Sequence, residues 1–130
     1  MSTVKDLYTL KIGVAFERYF VEMAEDLVEG IVLPTEEQDA EEGTDLFCEG
    51  RRYDVTLNQN KKGMKLVDSL YYKHYSVHVY KRKHNGHHFF EEETTVLCFK
   101  PHQFSSDIAE LVDWLEESLE SSQLVRLLNK

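Results

Sequence analysis

Cysteine, proline and tryptophan are scarce in this chain of 130 residues, which holds two, two and one of them. Cys48 and Cys98 frame no disulfide network and lack zinc-ligand spacing, so they are expected as reduced thiols. With two prolines and six glycines the chain is neither collagen-like nor a low-complexity linker. No apolar run approaches the roughly 18 residues that span a bilayer. The opening MSTVKDLYTLKIGVAFER has no uninterrupted apolar stretch and no small-residue cleavage site, which points to a cytoplasmic chain. The motifs GxSxG, GxxxxGK[ST] and GxGxxG are absent. Cys48 stands next to Glu49, which raises rather than lowers a thiol pKa. Neither an enzyme nor a cofactor is indicated. Bases are also short, 15 against 24 acids, and the net charge of −9 argues against a DNA-coating protein and favours basic partners.

The hydrophobic content of 42% suits a single domain over residues 1–130, with one core. Phe16, Phe20, Met23 and Leu27 recur at helical steps, and Glu22, Glu25, Asp26 and Glu29 cover the other side, with Gly30 as a stop. Upstream, Tyr8, Leu10, Ile12, Val14 and Phe16 alternate like a strand, but Thr3 with Asp6 resembles a capping box. One long helix from near residue 4 is the preferred reading. Residues 35–45 (TEEQDAEEGTD) carry six acids, no base and no large apolar side chain, the composition of a solvated acidic loop.

Arg51, Tyr53, Val55 and Leu57 alternate with polar residues and predict a strand. Residues 64–70 fit a strand with Met64, Leu66, Asp68 and Leu70 on one side, or a short helix using Met64, Val67 and Tyr71. A β-hairpin is expected over 72–83 and 88–99, turning at Asn85-Gly86, a pair suited to the positive φ angles of a type I′ turn. That register pairs Val79 with Glu92 and puts Tyr75, Val77, Val79, Thr94, Val96 and Cys98 on the core face. His78 then faces Glu93. Asp107 caps a C-terminal amphipathic helix with Ile108, Leu111, Val112, Leu115 and Leu119 in its stripe, and a kink or second helix follows Ser118. The expected class is α+β: an N-terminal helix, an antiparallel sheet of three to four strands and a C-terminal helix, both helices on one sheet face.

Charge is distributed unevenly. Residues 1–50 hold 3 bases and 13 acids, residues 51–83 hold 9 bases and 2 acids, and residues 84–130 hold 3 bases and 9 acids. The leading expectation is a small acidic, non-enzymatic binding protein of inhibitor, immunity, chaperone or adaptor type. It engages a basic protein partner through an acidic helical face at Asp113, Glu116, Glu117 and Glu120, beside Trp114. Leu124, Val125 and Leu128 are candidates for an adjoining apolar patch, or for a homodimer contact. The competing reading is nucleic-acid or nucleotide binding through Arg51, Arg52, Lys81, Arg82 and Lys83 with Tyr72 and Tyr80, where bases supply phosphate attraction and tyrosines supply stacking faces. The opposing reading is that these bases pair with acids of the same molecule. No metal site is expected; His84, His87 and His88 at the hairpin tip are weak candidates, as are His74 and His78 on one strand face with Glu91, Glu93 or His102 as further ligands, and none has a recognisable ligand spacing. If the basic segment binds nucleic acid, affinity falls steeply with added salt, and replacing Lys81, Arg82 and Lys83 with Ala flattens that slope in a filter-binding titration. A salt-independent signal, or none, excludes it.

Overall fold

Among the described residues the elements are α1 (Val4–Leu27), β1 (Ile31–Val32), β2 (Leu46–Cys48), β3 (Arg51–Leu57), β4 (Lys65–Tyr71), β5 (Tyr75–Asn85), β6 (Glu91–Pro101), α2 (Ile108–Ser118) and α3 (Ser121–Leu127). This computed structural model describes residues 4–35, 44–59, 63–85 and 91–129, and only the backbone of residues 4–10, 84–85 and 91–92. The class is α+β, as expected. Among the described residues the sheet has six strands in the order β1-β2-β3-β6-β5-β4, more than the three to four expected. The additional strands are β1 and β2, two and three residues long, too short for alternation to mark them. β2 and β3 are joined by Glu49-Gly50, both at positive φ (51° and 79°), so a tight turn closes this hairpin and favours glycine at position 50. The sheet is mixed rather than antiparallel, because β3 and β6 run parallel.

The helical reading of residue 4 onwards holds: α1 is a single helix to Leu27. Residues 65–71 are a strand, but a bulge between Leu66 and Asp68 puts Leu66 beside Tyr80 and Leu70 beside Val77, on opposite faces. The hairpin of β5 and β6 forms, yet its register differs from the expectation. Asn85 pairs with Glu91, so five residues separate the strand ends instead of a two-residue turn at Asn85-Gly86, and Gly86 lies outside the described residues. The odd offset reverses every β6 side chain. Val77 pairs with Phe99 and Val79 with Leu97, so Thr95, Leu97 and Phe99 face the helices in place of Thr94, Val96 and Cys98. His78 lies opposite Cys98 rather than Glu93, and its Nδ1 is 3.0 Å from Ser69 Oγ.

Helices α1, α2 and α3 pack on the face that carries Tyr53, Val55, Tyr75, Val77, Leu97 and Phe99. Phe16 and Phe20 of α1 meet Phe99 at ring-centroid distances of 5.5 and 5.0 Å, and Phe16 meets Tyr75 at 5.8 Å. Tyr75 donates its hydroxyl proton to the carbonyl of Leu111 in α2 at 2.6 Å, and Tyr53 donates to the carbonyl of Leu128 after α3. Asp107 caps α2 through its carboxylate, which accepts from the Ala109 amide at 3.0 Å. Leu124 and Leu128 are buried in this core, so they supply no surface patch; of the three C-terminal candidates only Val125 is exposed.

On the other face, Thr94, Val96 and Cys98 are also buried. The chain leaves β3 at the level of Phe99 and enters β4 at the level of Thr95 and Lys81, beyond two intervening strands. Gln59, early in that connection, accepts the Cys98 thiol proton at 2.9 Å and so lies on the side away from the helices. No helix among the described residues is long and apolar enough to cross a membrane.

Phe99→Ala is expected to cost about 3–5 kcal/mol in urea unfolding, because it empties the centre of the aromatic cluster. Tyr75→Phe keeps the ring and loses only the Leu111 hydrogen bond, for about 1 kcal/mol.

Candidate interaction site between the helices

Tyr19, Glu22, Met23, Asp26 and Leu27 recur at helical steps and form one stripe of α1. The stripe faces Glu116 of α2 and Leu119 just beyond it across a groove of about 330 Å³. Met23 and Leu119 are buried and make the floor, whereas Leu27 at the lip is 45% exposed. The rim is therefore acidic and the floor apolar. The Tyr19 hydroxyl donates to the Glu116 carboxylate. That hydrogen bond, then burial, then the charges of Glu116, Asp113 and Asp26 push the Tyr19 phenol up from 10.0 to about 12. Four carboxylates of two helices thus act on one region of surface.

Glu117 points elsewhere. It accepts a hydrogen bond from His74 Nε2 at 2.7 Å and lies 3.5 Å from Lys73 Nζ. The His74 hydrogen bond and the Lys73 charge hold its carboxyl below the usual range. Trp114 is half-buried and stacks on His74 at 5.8 Å, and a separate groove of about 260 Å³ lies among Lys73, His74, His102, Gln103 and Trp114. Glu120 is the N-cap of α3, where its amide donates to the Gln123 side chain at 2.9 Å. The predicted acidic face is thus divided. Glu116 and Asp113 act with α1, Glu117 and Trp114 with the start of β5, and Glu120 with α3.

The predicted basic segment is divided as well. Arg52, Tyr80 and Arg82 lie on the sheet face away from the helices, whereas Arg51, Lys81 and Lys83 occupy register positions on the opposite face. Arg52 sits over the Phe47 ring at 5.7 Å, and Arg82 is 3.9 Å from the Asp54 carboxylate. Lys81 donates to Thr95 at 2.7 Å and is 3.7 Å from Glu93, while Arg51 donates to the Asn129 carbonyl at 3.0 Å. Tyr72 is half-buried against the core. Among the described residues no three His, Cys, Asp or Glu side chains gather in a way that could hold a metal ion. His87, His88 and the His84 side chain lie outside the described residues, as does most of the acidic loop at 35–45.

Sequence reasoning missed Tyr19, Glu22 and Asp26 as site residues. The acids of α1 were visible as a polar helix face, but nothing local pairs that face with a helix about ninety residues further on. Compared with protein-family models, curated proteins and solved structures, the chain matches none.

A raised folded-state pKa means that Tyr19 adds stability below pH 10, and that this contribution is lost as the pH rises from 10 to about 12. In a phenolate absorbance titration, Tyr19 is expected to ionise near pH 12, and Glu116→Ala is expected to move its midpoint back towards 10. A Tyr19 midpoint unchanged by Glu116→Ala would contradict this account.

Proposed function

We propose that this chain is a non-enzymatic binding protein that engages a basic protein partner through the acidic surface shared by α1 and α2. The observation that carries the proposal is the groove itself: Glu22 and Asp26 from one helix and Glu116 from another around an apolar floor, with no Lys or Arg among the described residues of the lining. Charges of one sign beside a concave surface raise the local concentration of oppositely charged partners and accelerate encounter. Burial of apolar side chains then slows dissociation.

The test uses charge reversal at residues that carry none of the fold's described hydrogen bonds. Glu116 and Glu117 are poor choices, because they hold Tyr19 and His74. Glu22→Lys with Asp26→Lys changes exposed positions, and stability is expected to stay within about 0.5 kcal/mol. With this double variant as bait, capture of a basic protein from lysate is expected to disappear, while the unaltered chain captures it with and without nuclease treatment. Capture retained by the double variant overturns the proposal. Capture lost only on nuclease treatment transfers the function to the basic strands.

A further inference from the structure

Leu27 belongs to two grooves. Besides the groove between α1 and α2, it lines a second of about 320 Å³ with Val28, Cys48 and Val125, flanked by Glu29 and Glu49. Leu27 is 45% exposed and Val125 39% exposed, two large apolar side chains that the fold leaves outside its core. Ser121 Oγ donates to the Leu27 carbonyl at 3.4 Å, which ties α3 to the end of α1 at the residue that both grooves share. Five carboxylates therefore flank the two grooves: Glu22, Asp26 and Glu116 on one, Glu29 and Glu49 on the other. Arg51 is close to the second groove, with its guanidinium on the Asn129 carbonyl. Cys48 adds no charge, because burial and Glu49 push its thiol up.

We infer that the two grooves form one docking track for a basic amphipathic segment of a protein partner. Apolar side chains of the segment seat against Leu27 and Val125, and its Lys or Arg side chains meet the flanking carboxylates. This deepens the proposed function and rests on it. A purely polybasic tail would need the carboxylates alone, but here exposed apolar side chains lie among them, and their burial adds affinity. A second copy of this chain fits poorly, because a two-fold contact over the track would bring Glu22, Asp26 and Glu116 against their own equivalents. An anionic membrane surface is repelled by the same acids. From Tyr19 to Leu27 the track runs roughly 12 Å along α1, room for two helical turns or about four extended residues.

Two synthetic peptides of equal charge test the inference by fluorescence anisotropy. One alternates Lys with Leu and the other alternates Lys with Ser. The Leu peptide is expected to bind about tenfold more tightly, near 1.4 kcal/mol. Leu27→Gln with Val125→Gln is expected to abolish that preference, and Glu22→Lys with Asp26→Lys to weaken both peptides. Equal affinity for the two peptides, a preference that survives the Gln variant, or binding of neither peptide overturns the track. The peptide comparison is made on the unaltered chain and so does not depend on any variant folding. If the track fails but the charge-reversed variant still weakens binding, the acidic-surface reading survives. If charge reversal leaves both affinities unchanged, both proposals fall.

Discussion

Two buried hydroxyls set the position of the helices on the sheet. Tyr75 and Tyr53 project from β5 and β3 into the core, and each donates to a main-chain carbonyl of the helical layer, at Leu111 within α2 and at Leu128 just past α3. A hydroxyl left unpaired in that interior would cost a few kcal/mol, so the helices are held where those carbonyls can be reached. The Leu128 carbonyl stands past the end of α3, where it has no partner within the helix, and the tyrosine fills that vacancy. Burial pushes both phenols up, so they stay donors past the pH at which a free phenol ionises. Phe16, Phe20 and Phe99 fill the space between, and the position of α2 that results brings Glu116 to Tyr19. The acid-rimmed groove is thus a consequence of core geometry.

The mixed sheet explains why the basic segment does not make one surface. β6 occupies the centre, parallel to β3 and antiparallel to β5, and it is buried on both faces. Leu97 and Phe99 meet the helices, while Val96 and Cys98 are covered from the side where Gln59 lies. Adjacent bases on β3 and β5 alternate across this sheet, so Arg51 and Arg52, or Lys81 and Arg82, face opposite ways. Several meet intramolecular partners, namely Asp54, Glu93, Phe47 and the Asn129 carbonyl. Basic composition along a segment therefore becomes several small local arrangements. The acidic helices behave differently, because helical spacing gathers Glu22 and Asp26 on one stripe.

Legibility followed the range of the interaction. The extent of α1, the Asp107 cap, the break after Ser118 and the strand at Arg51–Leu57 depend on neighbours a few residues away, and each was readable. The β5–β6 register was not. Asn85-Gly86 is a sound local signal for a tight turn, but Asn85 stays in the strand opposite Glu91, and Leu97 and Phe99 join the core under the helices, with Phe99 against Phe16 and Phe20 of α1. Both Val96 and Leu97 are apolar, so alternation in β6 could not say which of them meets the helices.

By itself, the sequence determined the α+β class, the amphipathic helices and an excess of acid at both ends of the chain, because composition and short-range periodicity carry that information. Tertiary structure alone decided the parallel pairing of β3 with β6, the division of the predicted acidic face, and the meeting of Tyr19, Glu22 and Asp26 with Glu116. The physical reason is sequence separation. Tyr19 and Glu116 stand 97 residues apart, and only the burial of two helices against one face of a common sheet brings them within hydrogen-bonding distance.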